Sequence, residues 1–243
     1  MYEKIDNDPS EETERKVVEF VNKMQTEGHI AEKTANWIKA RTMNTKPGAY
    51  TEQPKTHKFD EKSHEMSEGF PARGIVSCRN TPTEALQDFV DFQVNPAMRK
   101  QMSYIKDTKH VLQKIHVANE EGKVTEDINL VSADFENMYG KMPLHLSMEG
   151  IRKFCQEAGF TGEDEKPETG EILEALDLCQ ENNVFEFDEK LYRQKRGHAT
   201  GQKKAPPVAC AGAGIAEEQW LSNPQVAELF SNYGRYIDDI LSF

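Results

Sequence analysis

Three aspartates in this chain of 243 residues stand where short apolar segments end or bend: Asp134 in Val131-Ser132-Ala133-Asp134-Phe135, and the pair in Tyr236-Ile237-Asp238-Asp239. Carboxylates gathered at one place repel one another and raise each other's pKa values. Two divalent cations relieve that repulsion and create a setting for phosphoryl transfer. One activates an attacking 3′-oxygen, and the other neutralises a triphosphate and its departing pyrophosphate. Hard oxygen donors of this kind suit Mg²⁺, with Mn²⁺ as a substitute. Taken singly, an Asp-Asp pair at a hairpin bend is also good turn chemistry, so the acids gain meaning only from what surrounds them.

The elements that must position these acids are legible in the pattern. Asp8-Pro9-Ser10-Glu11 supplies an N-cap, a first-turn proline and an acid three residues after the cap, and Val17, Val18, Val21 and Met24 follow on one helical face. A second helix is expected over 31–39. Residues 41–73, rich in Pro, Gly, Thr, His and charge, read as loops around short strands, with a polar mobile tip at 60–69. Thr81-Pro82-Thr83-Glu84 repeats the capping logic and opens a helix bearing Leu86, Phe89 and Val90. Further helices are expected at 108–117, 146–158, 171–179 and 207–221. Residues 128–135 read as a strand, 184–192 as a hairpin turning at Asp188-Glu189, and 233–243 as strand, acidic turn and strand, the second strand cut short by the chain's last residue.

The bulk numbers bound the answer. A chain of this length buries one sizeable core or two modest ones. No segment approaches the ~20 apolar residues of a membrane span, and Met1-Tyr2-Glu3-Lys4 carries no secretory apolar region. The four cysteines lack metal-ligand spacing and read as reduced thiols, so an intracellular protein, nuclear or cytoplasmic and not secreted, is expected. The net charge of −12 runs against the basic surface usual in nucleic-acid binders.

Against that charge stands a set of ordered motifs. Gln53-Pro54-Lys55-Thr56-His57-Lys58 with Arg73-Gly74-Ile75-Val76-Ser77 resembles the "LPKxHK…RPIVS" pair of Penelope-like reverse transcriptases. The segment from Asp134 to Pro143 resembles their "DVxxLYTNIP", and Glu181-Asn182-Asn183-Val184-Phe185-Glu186-Phe187 through Tyr192-Arg193-Gln194 their "ENNYFEFNGKFYRQ". Gly197-His198-Ala199-Thr200-Gly201 is similar to "GxAMG", and Arg235-Tyr236-Ile237-Asp238-Asp239-Ile240-Leu241 to "RYVDDIL". The resemblance spans nearly the whole chain in the family's order.

It implies an α+β fold: the reverse-transcriptase right hand, with fingers and an antiparallel palm sheet backed by helices, and the thumb absent. The implied divisions are an N-terminal helical segment (1–45), fingers (46–127), palm (128–160), a connection with hairpin and glycine motif (161–206), and a palm helix with the Asp-Asp hairpin (207–243). The implied activity is RNA-directed DNA polymerisation by a retroelement enzyme, using two Mg²⁺ ions, dNTPs, an RNA template and a DNA primer or RNA–DNA hybrid. Asp134, Asp238 and Asp239 are the implied catalytic metal ligands, with the Phe135 carbonyl beside them. Lys55 and Arg73 would hold the triphosphate, and guanidinium forks suit phosphate oxygens. Tyr139 would lie under the sugar and exclude a 2′-hydroxyl, Gly201 would border the nucleotide, and Gly197, Lys203 and Lys204 would border template and primer. Each also has a plain structural reading: a half-buried aromatic, solvated cations, turn glycines.

The match departs from the family at identifiable places. Gly74 replaces a proline, Gln53 a leucine and Thr200 a methionine; Gln202-Lys203-Lys204 replaces "SPL", setting two cations at the expected pocket rim. Fourteen residues separate Lys58 from Arg73, more than the family hairpin holds. None of these departures removes a metal ligand. Lys195, Arg196, Lys203 and Lys204 are expected to form a positive patch near the template path. A competing expectation is a catalytically inactive or truncated remnant binding nucleic acid or a partner. A metal-dependent nuclease ranks third, since it would not call for Lys55, Arg73 or Tyr139.

Overall fold

The computed structural model describes residues 2–56, 72–124, 129–230 and 232–243. The chain begins with β1 (Tyr2–Ile5), then α1 (Ser10–Thr26), α2 (Glu32–Thr42), β2 (Gly48–Pro54), β3 (Ala72–Ser77), α3 (Glu84–Met98) and α4 (Thr108–Glu120). It continues through β4 (Val131–Asp134), α5 (Met138–Lys141), α6 (Leu144–Glu157), α7 (Thr169–Glu181), β5 (Val184–Phe187) and β6 (Lys190–Gln194). It closes with α8 (Ala205–Leu221), α9 (Pro224–Leu229), β7 (Gly234–Tyr236) and β8 (Asp239–Ser242). Among the sequence expectations, His57, Lys58, the tip at 60–69 and the first residue of the strand at 128–135 lie outside the described residues.

The helices form where apolar spacing and caps dictate. The Asp8 carboxylate accepts from the Ser10 backbone N–H at 2.9 Å ahead of α1, and Glu168 with Glu171 forms a capping box on α7. The buried faces of α1, α2, α3, α6, α7 and α8 meet in one core that includes Val17, Met24, Ile38, Leu86, Val90, Ile151, Ile172 and Val208. Contact between α6 and α8 is made at backbone distance. A Cβ placed on Gly150 would stand 2.2 Å from the Ala211 carbonyl oxygen, and one on Gly212 would meet the Ser147 nitrogen at 3.0 Å. The small residues of 208–216 are thus a packing seam.

Two sheets complete the fold. The first has order β1-β6-β5-β2-β3 and is mixed, because β2 runs parallel to β5. Its β5–β6 turn places Asp188 and Glu189 at φ +51° and +56°, the left-handed pair that a two-residue hairpin needs. Strand β1 escaped the sequence reading, which began the chain as a helical segment; it pairs along β6 from Tyr2↔Gln194 to Ile5↔Leu191. The second sheet, β4-β8-β7, is antiparallel, with Asp134 opposite Asp239 and Tyr236 opposite Asp239.

Candidate active site

The two sheets converge on a cleft of about 600 Å³ whose walls include Lys55, Arg73, Asp134, Phe135, Tyr139 and Asp238. These six come from four separate stretches of sequence. Lys55 follows β2 and Arg73 lies on β3, opposite Gln53. Asp134 ends β4, and Asp238 sits in the two-residue turn between β7 and β8. The Phe135 N–H donates to the Asp238 carbonyl at 3.0 Å, tying the end of β4 to the acidic turn.

That turn is strained and braced. Ile237 takes φ +56°, a left-handed value costly for a β-branched residue. Its carbonyl accepts from Arg235 Nη1 at 3.0 Å. The Arg235 guanidinium is 3% exposed and also donates to Gln101 Oε1 at 3.1 Å, to the Cys210 carbonyl at 3.2 Å and to both carboxylate oxygens of Glu217 on α8. Glu217 in turn accepts from Ser103 Oγ and from the Tyr233 hydroxyl, each at 2.6 Å. Burial opposes the Arg235 charge, but the hydrogen bond and charge of Glu217 prevail and raise its pKa above the ordinary value. Burial, then Glu217, pushes the Tyr233 hydroxyl up as well. This knot fixes the acidic hairpin to α8. Sequence reasoning noted Arg235 only as a motif letter and missed Glu217; an acid at the polar end of an otherwise small-residue helix was the available signal.

Tyr139 packs beside Met138, Met142 and Ala209 and still borders the cleft. Burial, with contributions from Cys210 and Asp238, pushes its hydroxyl up to about 12, so it stays neutral. Behind it, the His198 N–H donates to the Tyr139 carbonyl at 2.7 Å. The His198 ring meets Ser147 Oγ through Nε2 at 2.9 Å, while Nδ1 has no hydrogen-bond partner among the described residues. Burial first, then the charge of Lys204, lowers the His198 pKa to about 3.

The remaining sequence expectations fall outside the cleft wall. Asp239 faces Asp134 across the β4–β8 pair but does not line the cleft. Gly197 (φ +66°) and Gly201 (φ +111°) do permit close approach, but to the chain's own backbone. A Cβ on Gly197 would meet the Gly140 carbonyl oxygen at 2.4 Å, and one on Gly201 the Val76 carbonyl oxygen at 2.4 Å. The expected pair of cations at the pocket rim is corrected. Lys204 is 1% exposed, its pKa lowered by burial, with Cys78 and Cys179 near enough to feel its charge. Lys203 points elsewhere, pairing with Asp88 of α3 at 2.8 Å in a groove beside Trp37 and Phe92. Both follow from the turn at Gly201, which sends alternate side chains inward and toward α3. The substitution at Gly74 also acquires a reason: a Cβ there would meet the Tyr50 hydroxyl at 2.6 Å, so the tyrosine ring crosses β3 where a proline would stand.

Among the described residues, the one trio of ligand atoms within 4.8 Å of one another is that of Glu27, His29 and Glu171, away from the cleft. The three aspartates are not drawn so close. As a donor set Asp134, Asp238 and Asp239 nevertheless fit a hard divalent cation: all are carboxylates, joined by backbone pairing, at or beside a solvent-open wall.

No model of a known protein family matches the sequence, and no curated protein matches it. Fourteen solved chains match it in fold. Apo telomerase from Candida tropicalis overlays with TM-score 0.54 at 12% identity, over 80% of this chain and 38% of that one. A form of the same telomerase truncated from its C-terminal domain gives 0.53 at 13% identity, over 80% and 43%. Telomerase from Candida albicans, in complex with a fragment of telomeric RNA, gives 0.51 at 12% identity, over 84% and 38%. The chain therefore spans about two fifths of the telomerases it overlays. No described helix is long and apolar enough to cross a membrane.

Proposed function

We propose that this chain, whose fold is reverse-transcriptase-like, is the nucleotidyl-transfer part of an RNA-directed DNA polymerase from a retroelement. The observation that carries the reading is the cleft, which gathers Asp134, Asp238, Tyr139, Lys55 and Arg73 from distant sequence positions into one wall. Asp134, Asp238 and Asp239 would hold two Mg²⁺ ions, with the Phe135 carbonyl beside them. When bound, these ions supply activation of a primer 3′-hydroxyl and neutralisation of the triphosphate. The chain's own residues do the rest. Lys55 and Arg73 bind the triphosphate oxygens, and Tyr139 fills the space a 2′-hydroxyl would need. Arg235 and Glu217 hold the acidic turn in place, and an RNA template paired to a DNA primer supplies the other reactants. The divisions 46–127 and 128–160 take the parts of fingers and palm.

Nucleotide affinity tests this directly. A deoxynucleoside triphosphate with Mg²⁺ is expected to bind, and Arg73→Ala or Lys55→Ala to weaken it by roughly tenfold or more each, as loss of a charged hydrogen bond implies. Tyr139→Ala is expected to bring ribonucleotide affinity up to that for deoxynucleotides. Unaltered affinity in Arg73→Ala and Lys55→Ala would remove the cleft from the account. A second reading, a non-catalytic domain that binds nucleic acid or a partner, is favoured by the charge of −12 and by the place of Asp239 beside the cleft wall. It predicts nucleic-acid binding without nucleotide binding.

A further inference from the structure

The turn that ends α1 and the first turn of α7 bring three ligand groups to one place, away from the cleft. Glu27 is the C-cap of α1, and Gly28 at φ +80° turns the chain out of the helix. The His29 N–H then donates to the Met24 carbonyl at 2.9 Å and the Gly28 N–H to the Gln25 carbonyl at 3.2 Å, the paired closure that fixes a helix end. This holds His29 with its Nδ1 2.9 Å from Glu171 Oε1 and 3.7 Å from Glu27 Oε2. On the other side of the ring, a Cβ on Gly162 (φ +82°) would stand 2.9 Å from Nε2. The loop at Gly162 therefore closes against Nε2, and Nδ1 is the nitrogen presented to the carboxylates. Glu171 is 4% exposed, and its Oε2 accepts from the Glu168 N–H at 2.8 Å, which aims Oε1 at the imidazole.

We propose that Glu27, His29 and Glu171 form a zinc site that staples the end of α1 to the start of α7, with water as the fourth ligand. One imidazole nitrogen and two carboxylate oxygens suit Zn²⁺, whereas Mg²⁺ calls for oxygen donors alone. Bonds of about 2.0–2.1 Å in a tetrahedron set ligand atoms roughly 3.3 Å apart, and the separations of 2.9 and 3.7 Å lie either side of that value. All three ligand atoms fall within 4.8 Å of one another. A hydrogen bond explains less, because one N–H serves Glu171 and leaves Glu27 facing the same nitrogen from too far away. The backbone bond to Glu171 Oε2 is the kind of outer contact that orients a metal ligand. Charge points the same way. Glu27 lies at a helix C-terminus, where the macrodipole disfavours an anion. Glu27, Glu168 and Glu171 all act on His29, while Lys23, close enough to feel Glu27 and Glu171, is paired with Glu174 at 3.2 Å. Three carboxylates around one imidazole make a negative surplus that a divalent cation offsets.

The test is calorimetric titration of Zn²⁺ into the full, tag-free chain after chelator treatment, with Mg²⁺ in excess to compete at sites of carboxylate oxygen alone. One equivalent is expected to bind and to raise the unfolding temperature by roughly 5 °C or more at a hundredfold excess over Kd. Co²⁺ in its place is expected to give the visible absorption of a four-coordinate ion. Glu27 is 44% exposed, so Glu27→Gln leaves the packing intact; it is expected to weaken zinc binding by roughly tenfold or more. His29→Gln is expected to abolish the one-equivalent binding, and Asp134→Asn and Asp238→Asn to bind like the unaltered chain. Circular dichroism establishes that each variant is folded. Zinc binding that is unchanged in folded Glu27→Gln and His29→Gln would lie on other histidines and overturns the proposal. Loss of the site in Asp238→Asn, or no saturable binding at all, overturns it too. Neither nucleotide nor template enters the measurement, so its outcome is independent of the polymerase reading.

Discussion

At the scale of single residues, burial sets the charge state of two groups that border the cleft, Tyr139 and His198. His198 is the clearest case. Its folded pKa of about 3 lies below the unfolded value of about 6.5, so between these limits the unfolded chain binds the extra proton. Stability therefore falls as pH drops from about 6.5 toward 3, by up to ~1.4 kcal/mol per pH unit. Urea unfolding at a series of pH values reads this slope, and His198→Gln is expected to flatten it. An unchanged slope in the variant would mean that other groups carry it. Lys204 teaches a different lesson at this scale. Two adjacent lysines looked alike in the sequence, yet one is buried behind Cys78 and the other reaches Asp88. A string of letters gives no direction to a side chain once a glycine at φ +111° has broken the strand or helix period that would otherwise set it.

At the scale of elements, positioning of the acidic hairpin depends on α8, and α8 depends on α6. Breaking the buried Arg235–Glu217 pair from one side, by Arg235→Met or Glu217→Gln, leaves a desolvated group unsatisfied and is expected to cost about 3–5 kcal/mol in chemical denaturation. Replacing both residues by methionine is expected to recover much of that loss. Equal, additive losses would show that the pair is not coupled. The α6–α8 seam gives a second expectation. Gly150→Ala drives a methyl into the Ala211 carbonyl and is expected to destabilise by about 1–3 kcal/mol. Gly170→Ala on α7, with nothing within 4 Å of its added Cβ, is expected to stabilise by about 0.4–1 kcal/mol. The helices and the β5–β6 hairpin were readable because apolar period, caps and an Asp-Glu turn all agreed. Strand β1 was not, because the four residues Tyr2-Glu3-Lys4-Ile5 carry no turn signal and owe their form to pairing with β6, 188 positions away at Lys4↔Tyr192.

At the scale of the whole molecule, three of the motifs bring Lys55, Arg73, Asp134, Tyr139 and Asp238 from distant positions to the wall of one cleft. Charge did not predict it. The −12 total includes helix α7, which carries four acids and no base, whereas the cleft sets Lys55, Arg73 and Lys141 beside Asp134, Glu136 and Asp238. The motifs could not reveal what fastens the site: the Glu217 knot and the glycine contacts join segments far apart in sequence, and no local pattern records them. Template-directed transfer at Asp134 and Asp238 is the core of the proposed function. Primer extension by the purified chain tests it most directly, with an RNA template, a DNA primer, dNTPs and Mg²⁺ or Mn²⁺, beside Asp134→Asn and Asp238→Asn. The expected result is extension that follows the template and is abolished in both variants. Extension that survives in either, or folded chain that binds primer–template and nucleotide yet adds none, would contradict it.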